Sequence, residues 1–295
     1  MSSSTPTPAV ERSQPLLGTF VNIKVGGMPE ADAHRVIDAG FELIANIHAL
    51  MSFHEPDSDI SALNRGAARE SVAVSPETFH VVERALALSA ISDGVFDITI
   101  APQLVAWGFL PRPEGAPEPD PAATWRDIEC LSGNTIRFRK PLWIDLGGIA
   151  KGFAVDFAVE KIAGNAAMQC CINAGGDLRV SGPGSERVML RTDRSEATVP
   201  VVEIENGSLA SSSGREQTRR HGDGEVGPHI HGRTRQSIGM TGFVSVIAPE
   251  CMTADALTKV VLALGDDAAP MLTGLGATAY LQDARGAWRV VGGEG

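Results

Sequence analysis

The segment richest in possible chemistry is Trp143–Ile162, WIDLGGIAKGFAVDFAVEKI. A short strand delivers Asp145, Gly147 and Gly148 make a turn through which backbone can approach a ligand, and Lys151 falls in the first turn of a helix starting near Ile149. Free amides at a helix N-terminus beside a lysine suit a phosphate. An ordinary strand-to-helix turn, with Asp145 satisfying amides and Lys151 solvated, accounts for the same residues equally well. Neither the Walker spacing nor Gly-x-Gly-x-x-Gly is present. In Cys171–Gly182, CINAGGDLRVSG, paired glycines and Asp177 again follow an apolar run, and turn fixing is the plainer reading of Asp177. Gly94–Phe109, GVFDITIAPQLVAWGF, places Asp97 after an aromatic and ends in Trp-Gly-Phe, where core packing explains Trp107 and Phe109. Asp255 precedes Lys259 by four positions in CMTADALTKVVLAL, the favourable order for an exposed helical ion pair. His229 and His231 alternate in a polar stretch with Arg233 and Arg235. Such histidines can bind metal or shuttle protons and are more often solvated.

The elements that must position these groups follow from periodicity. Leu17–Val25 alternates as a strand after a break at Pro15, and Glu30–Leu50 carries apolar residues at helical spacing. Glu77–Ser92 is a second helix, started by Ser75-Pro76 and closed by Asp93-Gly94. Ile136–Phe138, Trp143-Ile144, Cys171-Ile172, Arg187–Arg191, Val199–Ile204 and Val244–Ala248 read as strands, and Ile149–Ala163 and Thr253–Leu264 as helices. Gly276–Val291 reads as a closing hairpin. Pro111–Pro121 cannot sustain helix or sheet and is taken as a surface excursion within one domain spanning 15–295. Arg215–Gln236 is an unusually long polar loop, hence functional or mobile.

Acidic residues outnumber basic ones to give a net charge of −11, a field that repels phosphate backbones and anionic lipid surfaces. Nucleic acid is therefore a poor first guess as partner, and no apolar run is long enough for a membrane span. The four cysteines lack zinc spacing, and the adjacent Cys170 and Cys171 are unsuited to a mutual bridge. Residues 1–14 are expected to be a disordered tail; because Met1–Val10 carries no leader signal, a cytoplasmic setting is expected, with the periplasm open if a leader has been removed.

Taken in order, these segments resemble the FAD:protein FMN transferases, the ApbE-like flavin transferases. LGTFVNIKV, MSFHEPDSDISALN, VFDITIAPQLVAWGF, IDLGGIAKGFAVD, NAGGDLRVSG and SVIAPECMTADAL are similar to family motifs in collinear order from about Leu17 to Gly265. The resemblance implies an α+β fold related to the T-fold, with largely antiparallel sheets flanked by helices. It also implies transfer of FMN from FAD to a threonine hydroxyl of an acceptor protein, with AMP leaving and Mg2+ assisting. Leu17, His54, Val95, Phe96, Asp97, Asp145, Lys151 and Val244 match FAD-contacting positions, with Asp97 directed at adenine or ribose. Asp255 matches the metal-binding aspartate, the Gly148 carbonyl a further metal ligand, and His229 a base for the incoming threonine.

Four departures stand out. Leu17 replaces a methionine, and His54 a tyrosine that stacks on flavin. The family's His-Ile-Ile-Asp-Pro-Arg-Thr-Gly has become HIHGRTRQ, one residue shorter. Lys259 stands where a threonine metal ligand is expected. A cation there either weakens a magnesium site or partly replaces the ion, and Thr258, rotated by about 100° on the helix, cannot substitute for the missing ligand. Two further readings follow: a metal-dependent FAD pyrophosphatase yielding FMN and AMP, and an FAD-binding protein with a degraded catalytic loop.

Overall fold

A computed structural model of the protein describes residues 9–164, 168–192, 198–213, 217–222, 224–239 and 242–293. The chain opens with a hairpin of β1 (Val10–Leu16) and β2 (Thr19–Gly26), followed by α1 (Glu30–Met51), α2 (Asp59–Gly66), β3 (Val72–Ala73) and α3 (Pro76–Ile91). Next come α4 (Ala101–Ala106), β4 (Ile128–Leu131), β5 (Thr135–Phe138) and α5 (Ala150–Ile162). Strands β6 (Gln169–Ala174), β7 (Asp177–Ser181), β8 (Glu186–Met189), β9 (Val201–Ile204), β10 (Ser208–Ser213), β11 (Arg219–His221), β12 (Gly224–Val226) and β13 (Phe243–Ala248) follow. The chain closes with α6 (Cys251–Leu264), α7 (Ala269–Gly274), β14 (Thr278–Gln282) and β15 (Trp288–Gly292).

Eight strands form one sheet in the order β1-β2-β6-β7-β10-β13-β14-β15, every neighbouring pair antiparallel. α1, α5 and α6 cover one face, which makes the architecture α+β. α1 buries Ile37, Phe41, Ile44, Ile47 and Met51, spaced three to four apart, against that sheet, and Glu30 and Asp32 sit favourably in its first turn. α3 starts where Ser75 accepts from the Thr78 amide, with Pro76 at the first helical position. On the opposite face Leu178, Val180, Val202, Ile204 and Leu209 build a smaller core with the β8–β9 hairpin. A second sheet, β3-β5-β4, lies beside α2. Among the described residues no helix is long and apolar enough to cross a membrane.

Several expectations are corrected. Val10–Leu16 is an edge strand rather than part of a disordered tail, while residues 1–8 lie outside the described residues. Pro15 is tolerated there because an edge strand needs fewer ladder donors. Trp143-Ile144 is not a strand; Asn64 holds it instead, donating to the Ile144 carbonyl at 3.1 Å and accepting from its amide at 2.8 Å. The 215–236 stretch contains the β11–β12 hairpin. Residues 111–121 carry neither helix nor strand, as composition dictates.

Candidate active site

The site begins where α5 meets α6. A methyl group on Gly152 would come within 2.4 Å of the Cys251 carbonyl oxygen, so the helices cross in contact only because this residue is glycine. Asp156, one turn along α5, accepts from the Cys251 amide at 2.9 Å and the Met252 amide at 2.8 Å. It thereby caps α6, whose own N-cap residue, Glu250, makes no side-chain cap bond. On β7, Leu178 and Val180 face the small core while Asp177 and Arg179 face α5. Two cross-layer ion pairs result: Arg179 with Asp156 at 2.8 Å, and Lys151 with Asp177. Asp177 is thus a buried partner of Lys151 rather than a turn-fixing residue, and its Oδ1 is buried with no partner among the described residues.

On α6, Asp255 is 1 % and Lys259 16 % exposed, so the pair is sunk into the protein rather than solvated. Lys259 donates to Asp255 Oδ1 and, at 3.1 Å, to its backbone carbonyl. Asp255 Oδ2 accepts from the Gly152 amide at 3.2 Å. Burial alone would raise the Asp255 carboxyl, but Lys259 and Lys151 outweigh it and hold the group below the usual range. Burial likewise works against a charged Lys151, and Asp177 and Asp255 overcome it, so the Lys151 ammonium stays charged beside ionised Asp255. Thr258 is fully buried, bonding Ser212 at 2.8 Å and the Asp255 carbonyl at 2.7 Å, away from the Asp255 carboxylate.

Above this wedge opens a cleft of about 680 Å³, within the range of ligand sites. Its lining includes Leu17, His54, Val95, Phe96, Asp97, Asp145, Gly148, Lys151, His229 and Lys259. Asp255 is absent from the surface because Lys259 covers it. Val244 is also absent: it points into the helix-side core, and Phe243 lines the cleft, since one step along a strand reverses the face. Phe109 belongs to the cleft rather than the core, with the Arg219 guanidinium 4.9 Å from its ring centre. Arg191, Arg219 and the serines of β10 were not singled out from the sequence, where a Ser-rich strand carries little periodic signal. Four cations, Lys151, Arg191, Arg219 and Lys259, line the cleft against Asp97 and Asp145, while the carboxylates paired with the two lysines lie beneath the surface, so the face a ligand meets favours an anion despite the acidic whole. Leu17 and Gly18 form the two-residue turn of the first hairpin with φ of 56° and 70°, an uncommon place for leucine that aims an apolar side chain into the cleft.

Asp97 spends its oxygens on scaffold rather than on a ligand. It accepts from the Thr99 amide and hydroxyl, both at 2.8 Å, and from Arg235 at 3.0 Å. Burial raises its pKa against the pull of Arg235. Arg235 belongs to the altered HIHGRTRQ segment, which docks on the 93–99 turn in two more ways. Arg233 pairs with Asp93 at 2.6 Å, and the Gly232 amide donates to the Val95 carbonyl at 2.9 Å. A methyl group on Gly232 would come within 2.3 Å of the Gly94 carbonyl oxygen, so glycine in this segment permits the contact. The shortened segment is therefore anchored.

It carries His229, whose Nε2 lies 3.1 Å from the Ser213 carbonyl. A carbonyl only accepts, so Nε2 holds the proton and Nδ1 keeps a lone pair. Burial, then the Lys259 charge, lowers His229 to about 4, leaving it neutral near pH 7. His231 is not part of the lining. Burial raises Asp145 to about 6 against its bond from the Gly147 amide at 3.1 Å.

The divalent ion implied by the resemblance does not fit this donor set. Lys259 fills the region between its two expected ligands: it bonds Asp255, and a methyl group on Gly148 would meet Lys259 Cε at 3.6 Å. Among the described residues no three His, Cys, Asp or Glu side chains converge as a metal site.

A cationic cleft over a helix N-terminus, flanked by an uncharged imidazole, defines a protein that handles a phosphate-bearing ligand. The chain belongs to the ApbE family, whose model matches residues 17–281. It is 30% identical over 278 residues to a FAD:protein FMN transferase of Vibrio cholerae, covering 89% of this chain and 83% of that protein. The ApbE protein of Thermotoga maritima superposes with a TM-score of 0.85 at 24% identity, covering 96% of this chain and 97% of that one. Pseudomonas stutzeri flavinyl transferase ApbE in its apo form gives 0.81 at 20% identity, covering 99% and 96%.

Proposed function

We infer that the chain is a FAD:protein FMN transferase that moves the FMN half of FAD onto an acceptor protein, with a threonine hydroxyl as the receiving group. Beside the family membership, the observation that carries this reading is one cleft holding two ammoniums, Lys151 and Lys259, together with a neutral imidazole at His229. The ammoniums offset the pyrophosphate charge and stabilise the charge that develops on the departing phosphate. His229 Nδ1 takes the hydroxyl proton as the threonine oxygen bonds to the FMN phosphorus. The anhydride bond breaks in the same displacement, and AMP leaves with the electron pair. Phe96, Phe109 and Leu17 supply apolar surface for planar rings. No step is assigned to a divalent cation, because Lys259 stands in its place.

Incubating the protein with FAD and an acceptor bearing an exposed threonine should give a fluorescent acceptor band. His229→Ala should slow labelling by about 10²–10⁴-fold, with FAD binding unchanged within about threefold by fluorescence titration. Free FMN without labelled acceptor would assign hydrolysis instead; neither product would leave a binding protein.

A further inference from the structure

We propose that Lys259 is a resident cation: its ammonium takes the place of a divalent ion at Asp255 and, with Lys151, holds the pyrophosphate of FAD without metal. The inference deepens the flavin-transferase reading and rests on it for the identity of the ligand. Three observations carry it. First, the Lys259 ammonium touches two oxygens of Asp255, its carboxylate and its backbone carbonyl. Second, the Lys259 stem runs past Gly148, so the chain closes the space between Gly148 and Asp255 that an ion bridging them would need. Third, Lys259 lines the cleft while Asp255 lies beneath it. The ammonium therefore stands between the buried carboxylate and whatever enters from above.

The charge balance agrees. Lys151 and Lys259 match Asp177 and Asp255 one for one, so the wedge is formally neutral before ligand enters. A divalent ion would have to enter a pocket already holding two ammoniums, with its carboxylate taken. Ammonium and Mg2+ both place positive charge on phosphate oxygens, but Lys259 is already mostly buried in the folded chain and cannot be removed by a chelator.

The test is run on the full chain with two readouts. Mn2+ binding is followed by electron paramagnetic resonance on FAD-free protein, and FAD binding by fluorescence titration in EDTA and in Mg2+. The wild-type protein should show no tight Mn2+ site, and its FAD affinity should differ by less than about threefold between EDTA and Mg2+. Lys259→Thr should gain one Mn2+ site, lose about tenfold or more in FAD affinity in EDTA, recover it in Mg2+, and melt at a higher temperature with Mg2+ than without. Lys259→Arg, which keeps the charge, should bind FAD in EDTA and guards against a threonine variant that fails to fold. A tight Mn2+ site in the wild-type protein that Asp255→Asn abolishes, or FAD binding that collapses in EDTA, overturns the proposal. Absence of FAD binding by every variant in both buffers overturns the flavin reading and the pyrophosphate role with it. The Mn2+ readout still decides what fills the cation position.

Discussion

One buried carboxylate, Asp255, lies beneath the cleft and another, Asp97, belongs to its lining, and they are held in different ways. Asp255 sits in the α5–α6 wedge, where every partner rides on a helix or strand: Lys259 one turn away, Gly152 across the crossing, Lys151 above Asp177. Asp97 sits in the 93–99 turn, where Arg235 reaches it from a segment 138 residues away in sequence. Regular elements fix geometry through their own ladders, and the wedge adds the Gly152 crossing and the Asp156 cap to that frame. The turn has no ladder and is held by side chains and isolated backbone bonds, among them the Gly232 amide to the Val95 carbonyl and the Asp145 amide to the Ile98 carbonyl. The wedge should therefore fail as a unit, whereas the turn should loosen while the fold survives.

The largest expected effect comes from removing the group that seats α6. Asp156→Ala strips the cap from two α6 amides and leaves Arg179 without its buried partner. A loss of about 3–5 kcal/mol is expected in denaturant unfolding. Because α6 carries both Asp255 and Lys259, FAD affinity should fall together with stability. A variant as stable as the wild-type protein would mean that the helix crossing at Gly152 suffices to seat α6.

Arg235→Ala probes the other side with a smaller cost. It leaves the buried Asp97 with its Thr99 bonds and the backbone of Trp125 but no charged partner among the described residues. About 2 kcal/mol of stability should go, since hydrogen bonds to charged groups are worth about 1.5–3 kcal/mol. Transfer should drop by more than stability suggests, because Arg235 ties down the segment carrying His229. Adding Asp97→Asn should return part of the stability by removing the unpaired charge, but not the transfer rate. Equal recovery of both would show that Arg235 acts only through Asp97 and does not position His229.

The same contrast explains what was legible in the sequence. The wedge was readable because its partners lie at helical or turn spacing: Asp255 four before Lys259, Gly147 and Gly148 ahead of Lys151. What escaped was depth. Spacing alone does not distinguish an exposed i,i+4 pair from one sealed under a sheet, and Asp177 looked like a turn residue until β7 turned it toward α5. The Arg235–Asp97 lock had no local signal, since long-range pairing between irregular segments leaves no period. HIHGRTRQ read as a damaged loop, although its glycine and both arginines after it supply the anchors. Val244, matched to an FAD-contacting position by resemblance, lies in the helix-side core, while its neighbour Phe243 faces the cleft.

The smallest effect is a matter of sign, and it sets the two walls against each other through pH. Burial and Lys259 depress His229 from 6.5 to about 4, so between those values the unfolded chain binds a proton that the folded chain refuses. Stability from His229 is full above about pH 6.5 and is lost as pH falls toward 4. Asp145 runs the other way. Burial raises it from 3.8 to about 6, so the folded chain keeps a proton that the unfolded chain has released, and that contribution is lost as pH rises through 6. The slopes oppose each other between about pH 4 and 6 and should flatten the acid limb of the wild-type stability curve. Asp145→Asn removes the second slope alone. Relative to its own value at about pH 7, the variant's urea midpoint should fall more steeply on acidification than that of the wild-type protein. Parallel curves would mean that burial does not hold Asp145 protonated in the folded chain.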